Sequence, residues 1–143
     1  MIDRLLPFSR FAKRWQSPGH LRLGLRGENL ACGFLRRRGY KILYRNFRGR
    51  RGGEVDIVCR DGDTLVFVEV KTRTGADFGR PLEAVNAAKR KLISRGALAW
   101  LQLLDNPDIL FRFDVVEIVL PPRGAVQIEV VRDAFRLVAP YVY

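Results

Sequence analysis

The stretch from Glu54 to Thr72 constrains this chain more than any other part of it. Two largely apolar runs, about Glu54 to Arg60 and Asp63 to Thr72, flank Asp61-Gly62. That dipeptide is a strong hairpin signal, because tight turns need the positive φ that glycine accepts. With Arg60 set opposite Asp63, Asp56 lies opposite Phe67, and Glu69 is its diagonal neighbour. Side chains alternate with period two, so opposite and diagonal pairs share a face. Glu54, Asp56, Glu69 and Lys71 therefore share one face, while Val55, Ile57, Val66, Val68 and Val70 share the other. Near the turn the first face holds Val58 and Leu65; away from it the face becomes acidic, with one lysine.

Diagonal Cα atoms on a hairpin lie roughly 7–8 Å apart, a separation from which two carboxylates can reach one divalent ion. Carboxylate oxygens suit Mg²⁺ or Mn²⁺, and without a cation clustered carboxylates repel. The simpler reading is a solvated sheet face. It is weakened because a Glu and a Lys interrupt an apolar run that helices should cover, and buried ionisable clusters tend to mark function.

The flanking segments supply those helices. Leu21 to Arg38 carries Leu23, Leu30, Ala31, Phe34 and Leu35 on one helical face, with Gly39 placed as a cap. Gly24, Gly27 and Gly33 are costly inside it unless another backbone approaches closely. Tyr40 to Phe47 reads as a strand and Arg48 to Gly53 as a flexible Arg-Gly loop. After a loop at Gly75 to Arg80, Pro81 starts a helix to about Leu104, with Leu82, Val85, Leu92, Trp100 and Leu103 as its stripe. Phe111 to Leu120 and Ala125 to Val131 are two more strands, and the segment from Asp133 is unassigned. The expected fold is α/β in the order α-β-β-β-α-β-β, a mixed central sheet flanked by helices.

Twenty-six Lys and Arg against fifteen Asp and Glu give a formal charge of +11 over 143 residues. Such an excess draws a small domain to a polyanion, and its spread over several segments favours nucleic acid over an anionic membrane. Residues 1–20 form a basic arm with Phe8, Phe11 and Trp15 interleaved; it could lie on phosphates or a partner, or be a frayed terminus. Cys32 and Cys59 lie far apart and His20 is the sole histidine, so the sequence offers no ligand spacing for structural zinc. A disulfide is not required, and a reducing cytoplasm is the expected location. No apolar run reaches the roughly eighteen residues of a membrane span, and the N-terminus lacks a secretory pattern.

Asp56, twelve intervening residues and then Glu69-Val70-Lys71 resemble the PD-(D/E)XK nuclease signature. The wider pattern is similar to that of the YraN-like family of bacterial proteins: Gly27-Glu28, Asn46-Phe47-Arg48, Gly53-Glu54-Val55-Asp56, Phe67 to Arg73, Phe78-Gly79, Lys89-Arg90 and Arg112 to Val115. More distantly it resembles the archaeal Holliday-junction resolvases. The resemblance spans roughly Gly24 to Leu120. It implies a restriction-endonuclease-like fold in residues 21–132, followed by a tail, 133–143. It implies that Asp56 and Glu69 bind the metal, with the Val70 carbonyl as a further ligand. Lys71 would position the attacking water or stabilise charge on the phosphorane, and Glu28 would complete the metal-water shell. Val55 stands where the signature has proline, a departure that leaves the chemistry intact.

Arg45, Arg48, Arg50 and Arg51 would grip phosphates beside such a site, and Arg73 could reach the same backbone. Lys89 could face the site or extend its stem to solvent. Asp114 is expected to pair with a basic neighbour, and Trp15 and Trp100 to pack. The function expected is a Mg²⁺- or Mn²⁺-dependent endonuclease on structured or branched DNA, with a homodimer compatible with junction cleavage. The alternatives are a non-catalytic nucleic-acid-binding module and an adaptor that uses the basic arm.

Overall fold

The computed structural model describes residues 18–75 and 85–143. Helix α1 (Pro18–Arg37) is followed by β1 (Lys41–Arg48), β2 (Glu54–Asp61) and β3 (Thr64–Arg73). Helix α2 (Ala87–Leu103), β4 (Phe111–Val119) and β5 (Gln127–Phe135) complete the order. The five strands form one sheet in the order β1-β2-β3-β4-β5. The β3–β4 pair is parallel and the other three are antiparallel, so the sheet is mixed as expected. The helix between β3 and β4 supplies the long crossover that parallel neighbours need.

The helices cover opposite faces. Ala31, Cys32 and Leu35 of α1 pack on Ile57, Cys59, Val66, Val68, Val116 and Ile118. On the other face Ile93, Ala97 and Leu101 of α2 pack on Val58, Leu65, Phe67, Phe113 and Val115. Cys32 and Cys59 are free thiols, both in the α1-side core. Helix α1 stops where expected. Gly39 takes φ +88°, and the Gly39 and Tyr40 amides donate back to the Arg36 and Leu35 carbonyls, both at 3.0 Å. That pattern satisfies the last carbonyls of a helix.

Several expectations need correction. The hairpin closes with Asp61 opposite Thr64 and Arg60 opposite Leu65, so Gly62 and Asp63 form the turn. Gly62 adopts φ +59°, and glycine at the first central position is what a type II′ turn needs. The change in register moves the pairing along by two, a shift that by itself carries no residue to the other face. Val58 now faces Phe67, and one further step sets Asp56 opposite Glu69. Val55 does leave its predicted face. Asn46 in β1 holds φ 55° and breaks the alternation there, so Tyr44 and Phe47 both turn towards α2, and Val55, opposite Phe47, packs with them.

Helix α1 begins three residues before the expected Leu21, within the segment assigned to the basic arm. Helix α2 does not start at Pro81. Asn86 is extended (φ −73°, ψ 174°), and its side chain accepts from the Lys89 amide at 2.9 Å, a cap that fixes the first turn at Ala87. Leu92 and Leu103 of the expected stripe are exposed; Ile93, Ser94, Gly96, Ala97 and Leu101 are buried instead. The small residues win because α2 lies very close to β2. A Cβ on Gly96 would come within 2.8 Å of the Glu54 amide, and one on Gly53 within 2.4 Å of the Gly96 amide. Strand β5 runs on through Asp133 (φ 50°) to Phe135, into the segment assigned to the tail. Residues 1–17, the loop at 76–80 and Pro81, Leu82 and Phe78-Gly79 lie outside the described residues.

Candidate active site

The acidic end of the hairpin lies where the β2–β3 ladder stops. The last paired residues are Ile57 and Val68. Beyond them the Val70 amide donates to Asp56 Oδ2 at 2.8 Å, so a carboxylate replaces a backbone carbonyl as the acceptor. Glu69 is 3% exposed, and its Oε2 has no hydrogen-bond partner. Burial pushes the Glu69 carboxyl up to about 8, and the neighbouring Asp56 charge pushes the same way. Burial also raises Asp56, against the Val70 amide and the charge of Lys89. Two acids this close and this dry strongly disfavour full ionisation of both.

Cations surround the pair. Lys71 Nζ lies 3.7 Å and Lys89 Nζ 3.5 Å from Glu69 Oε1. Lys89 also donates to Glu54 Oε1, and Arg48 donates to Glu54 Oε2 at 2.9 Å. Burial pushes Glu54 up, but these two cations outweigh it and hold the carboxyl below its ordinary range. Burial pulls Lys89 down, yet Glu69, Glu54 and Asp56 together hold its ammonium above the usual lysine range. Helix α2 therefore turns Lys89 into the acids rather than leaving it in solvent.

Glu28 enters from α1. Its Oε2 accepts from Asn46 Nδ2 at 3.0 Å and lies 3.6 Å from Arg45 Nη2. Burial raises its carboxyl, opposed by the Asn46 hydrogen bond, while the charge of Asp56 adds to the rise. The left-handed backbone of Asn46 thus hands its amide to the acid of the first helix. Gly27 makes the approach of α1 to β3 feasible: a Cβ there would fall 1.8 Å from Thr72 Oγ1. Gly24 and Gly33 meet no approaching backbone, so the close contact expected of all three glycines holds at one, and against a side chain.

The basic residues divide. Arg45 and Arg48 are engaged with Glu28 and Glu54. Arg73 pairs with the buried Glu117, Nε to Oε1 at 3.0 Å. Arg50 and Arg51 are exposed. The loop that carries them is closed by the Gly49 amide, which donates to the Gly53 carbonyl at 3.1 Å, and Arg95 donates to the Arg51 carbonyl. Asp114 is fully buried and paired with Arg112 at 3.0 Å, as expected. Glu117, opposite Lys71 in the parallel register, received no role from the sequence. Its signal was available, since it interrupts Val115-Val116-Glu117-Ile118-Val119 as Glu69 interrupts its own apolar run.

Among the described residues no group of three or more His, Cys, Asp or Glu side chains is arranged to hold a metal. The candidate donors are two carboxylates, Asp56 with one oxygen committed to Val70 and Glu69 with one oxygen unpartnered.

The model of a protein family described as "Uncharacterised protein family UPF0102" matches residues 27–118. The chain belongs to UPF0102. A UPF0102 protein of Geobacter sulfurreducens is 53% identical over 115 residues, covering 80% of this chain and 89% of the relative. One from Nocardia farcinica is 51% identical over 100 residues, 70% of this chain and 78% of its own. A third, from Symbiobacterium thermophilum, is 45% identical over 114 residues, 80% and 96% of the two chains. The UPF0102 segment contains Glu28, Asp56, Glu69, Lys71 and Lys89, and ends in β4.

Proposed function

We propose that this UPF0102 protein is a divalent-metal-dependent endonuclease of restriction-endonuclease-like fold, acting in the cytoplasm on structured or branched DNA. The observation that carries the reading is a pair of buried acids, Asp56 and Glu69, close enough to share a hydrogen bond, with Glu69 Oε2 accepting from no donor group of the protein. Leaving such an atom unsatisfied costs roughly 1–3 kcal/mol or more, a cost that a bound ligand can relieve.

Oxygen donors of this kind fit Mg²⁺ or Mn²⁺. Asp56 and Glu69 would hold the ion, with the Val70 carbonyl as a further donor and Glu28 closing the shell of water. The ion would supply charge neutralisation and an activated water for phosphodiester hydrolysis. The Val70 amide fixes the Asp56 carboxylate, so that acid needs little reorganisation. Lys71, its side chain 31% exposed, presents an ammonium that can donate to water or to a phosphate oxygen arriving from solvent. Arg50 and Arg51 are placed to contact flanking phosphates, each contact adding to the salt dependence of binding.

The test is a panel of branched, flapped and single-stranded substrates with Mg²⁺ or Mn²⁺. Cleavage by the wild type should fall at least about a hundredfold in Asp56→Asn, Glu69→Gln and Lys71→Met, as when a transition-state contact is removed. Full activity in the Asp56 or Glu69 variant removes the assignment. Sedimentation with and without a junction tests for a homodimer.

A second reading, a non-catalytic nucleic-acid-binding module, is favoured by the internal neutralisation of the acids by Arg45, Arg48, Lys71 and Lys89. Tight, salt-sensitive DNA binding with no calorimetric metal site would select it.

A further inference from the structure

Two ammonium groups stand at Glu69 where the nuclease signature supplies one. Lys71 and Lys89 reach the same oxygen, Oε1, at 3.7 and 3.5 Å from different elements, β3 and α2. Lys89 is held there at both its backbone and its ammonium. Its own amide is capped by Asn86 at 2.9 Å, and its Nζ donates to Glu54. Glu54 is in turn anchored by Arg48 at 2.9 Å, on a backbone pressed against Gly96 of α2. The side chain is only 22% exposed, so this is a seated cation and not a lysine ranging over the surface.

Glu54 and Glu69 both meet the Lys89 ammonium, and the charge of Asp56 acts on it as well. Buried charges of one sign persist only when paired. We propose that Lys89 is an internal counter-ion that holds the place of the divalent cation in the metal-free protein, its ammonium yielding Glu69 when metal binds while Glu54 retains it. The inference rests on the metal-site reading of Asp56 and Glu69 and adds a positioning residue to it. Lys89 then stabilises the empty site and weakens the filled one, setting the metal concentration at which the site loads.

The expected sign is unusual for a residue lining a functional site: removing it tightens binding. An opposite charge within about 4–6 Å changes the proton affinity of a carboxylate by about one to three decades, and the same field opposes a second cation. Mn²⁺ titrated calorimetrically into the full chain, without nucleic acid, should bind Lys89→Met about tenfold more tightly than wild type. Lys89→Arg should stay near wild type, because it keeps the charge. Without metal, Lys89→Met should melt below wild type, and saturating Mn²⁺ should raise its melting temperature more than it raises that of wild type. Lys89→Gln repeats the test should the Met variant not fold.

If wild type binds Mn²⁺ and the neutral variants bind it equally or more weakly, the counter-ion role is overturned and the metal site stands. If neither wild type nor the neutral variants bind Mn²⁺, the metal-site reading itself fails.

Discussion

Cys59 sits in the α1-side core with no exposed surface, beside Cys32 at 1%. Burial, followed by the charge of Asp114, pushes the Cys59 thiol up to about 12, and burial raises Cys32 as well. The thiolate is the reactive form, so at pH 8 a group that ionises near 12 is about one part in ten thousand thiolate. Neither thiol should react with Ellman's reagent in the native protein over an hour at pH 8, and both should react in 6 M guanidinium. Rapid labelling of folded protein would mean that this core opens. At this scale the acids were legible. Asp56, Glu69 and Lys71 stand out because each is a charge set directly beside valine in its strand. Which cation each acid meets was not legible. Arg45, Arg48 and Arg73 look alike as isolated basic residues, and only the packing of α1 and the neighbouring strands commits them to Glu28, Glu54 and Glu117.

Among the elements, the strands were read more accurately than the helix that covers them. Alternation carried β2 and β3 because a two-residue period survives a register change of two, so the acids remained on one face. Helix α2 was misjudged in its start and in part of its stripe: Val85 and Trp100 join the core as expected, while Leu92 and Leu103 are exposed. Its buried face joins Ile93 and Leu101 to Ser94, Gly96 and Ala97, residues that hydrophobicity ranks low, because the helix docks by close backbone approach as well as by bulk. Gly96→Ala should therefore destabilise the protein by about 1–3 kcal/mol in urea unfolding despite the better helix propensity of alanine. Gly24→Ala in α1 is the control. Its Cβ would meet nothing within 4 Å, and it should stabilise by about 0.4–1 kcal/mol. Equal effects at the two glycines would show that α2 is not held by that contact.

Across the whole molecule, structural and chemical charges occupy opposite ends of the same strands. At the hairpin end Arg112 donates to Asp61 at 2.8 Å and to Tyr40 Oη at 3.0 Å, and pairs with Asp114. Arg132 of β5 also meets Asp61. One guanidinium thus links the cap of α1, the tip of β2 and the body of β4. Arg112→Met should cost about 3–5 kcal/mol, seen as a large fall in melting temperature, because it leaves Asp114 buried and unpaired. Loss of less than about 1 kcal/mol would mean that Asp114 is sustained otherwise, for instance by the Asp133 amide at 2.9 Å. The mixed sheet and its crossover were legible from the order of elements, whereas this network joins residues up to 72 positions apart and has no local pattern. The irregular edges of the sheet carry one more consequence. Strand β1 shifts register between Ile42 and Tyr44 and turns left-handed at Asn46, and β5 is broken opposite Phe113 and Val115. Neither outer strand offers a long unbroken row of amides and carbonyls to a foreign β-segment, which protects the folded chain from fibrous aggregation.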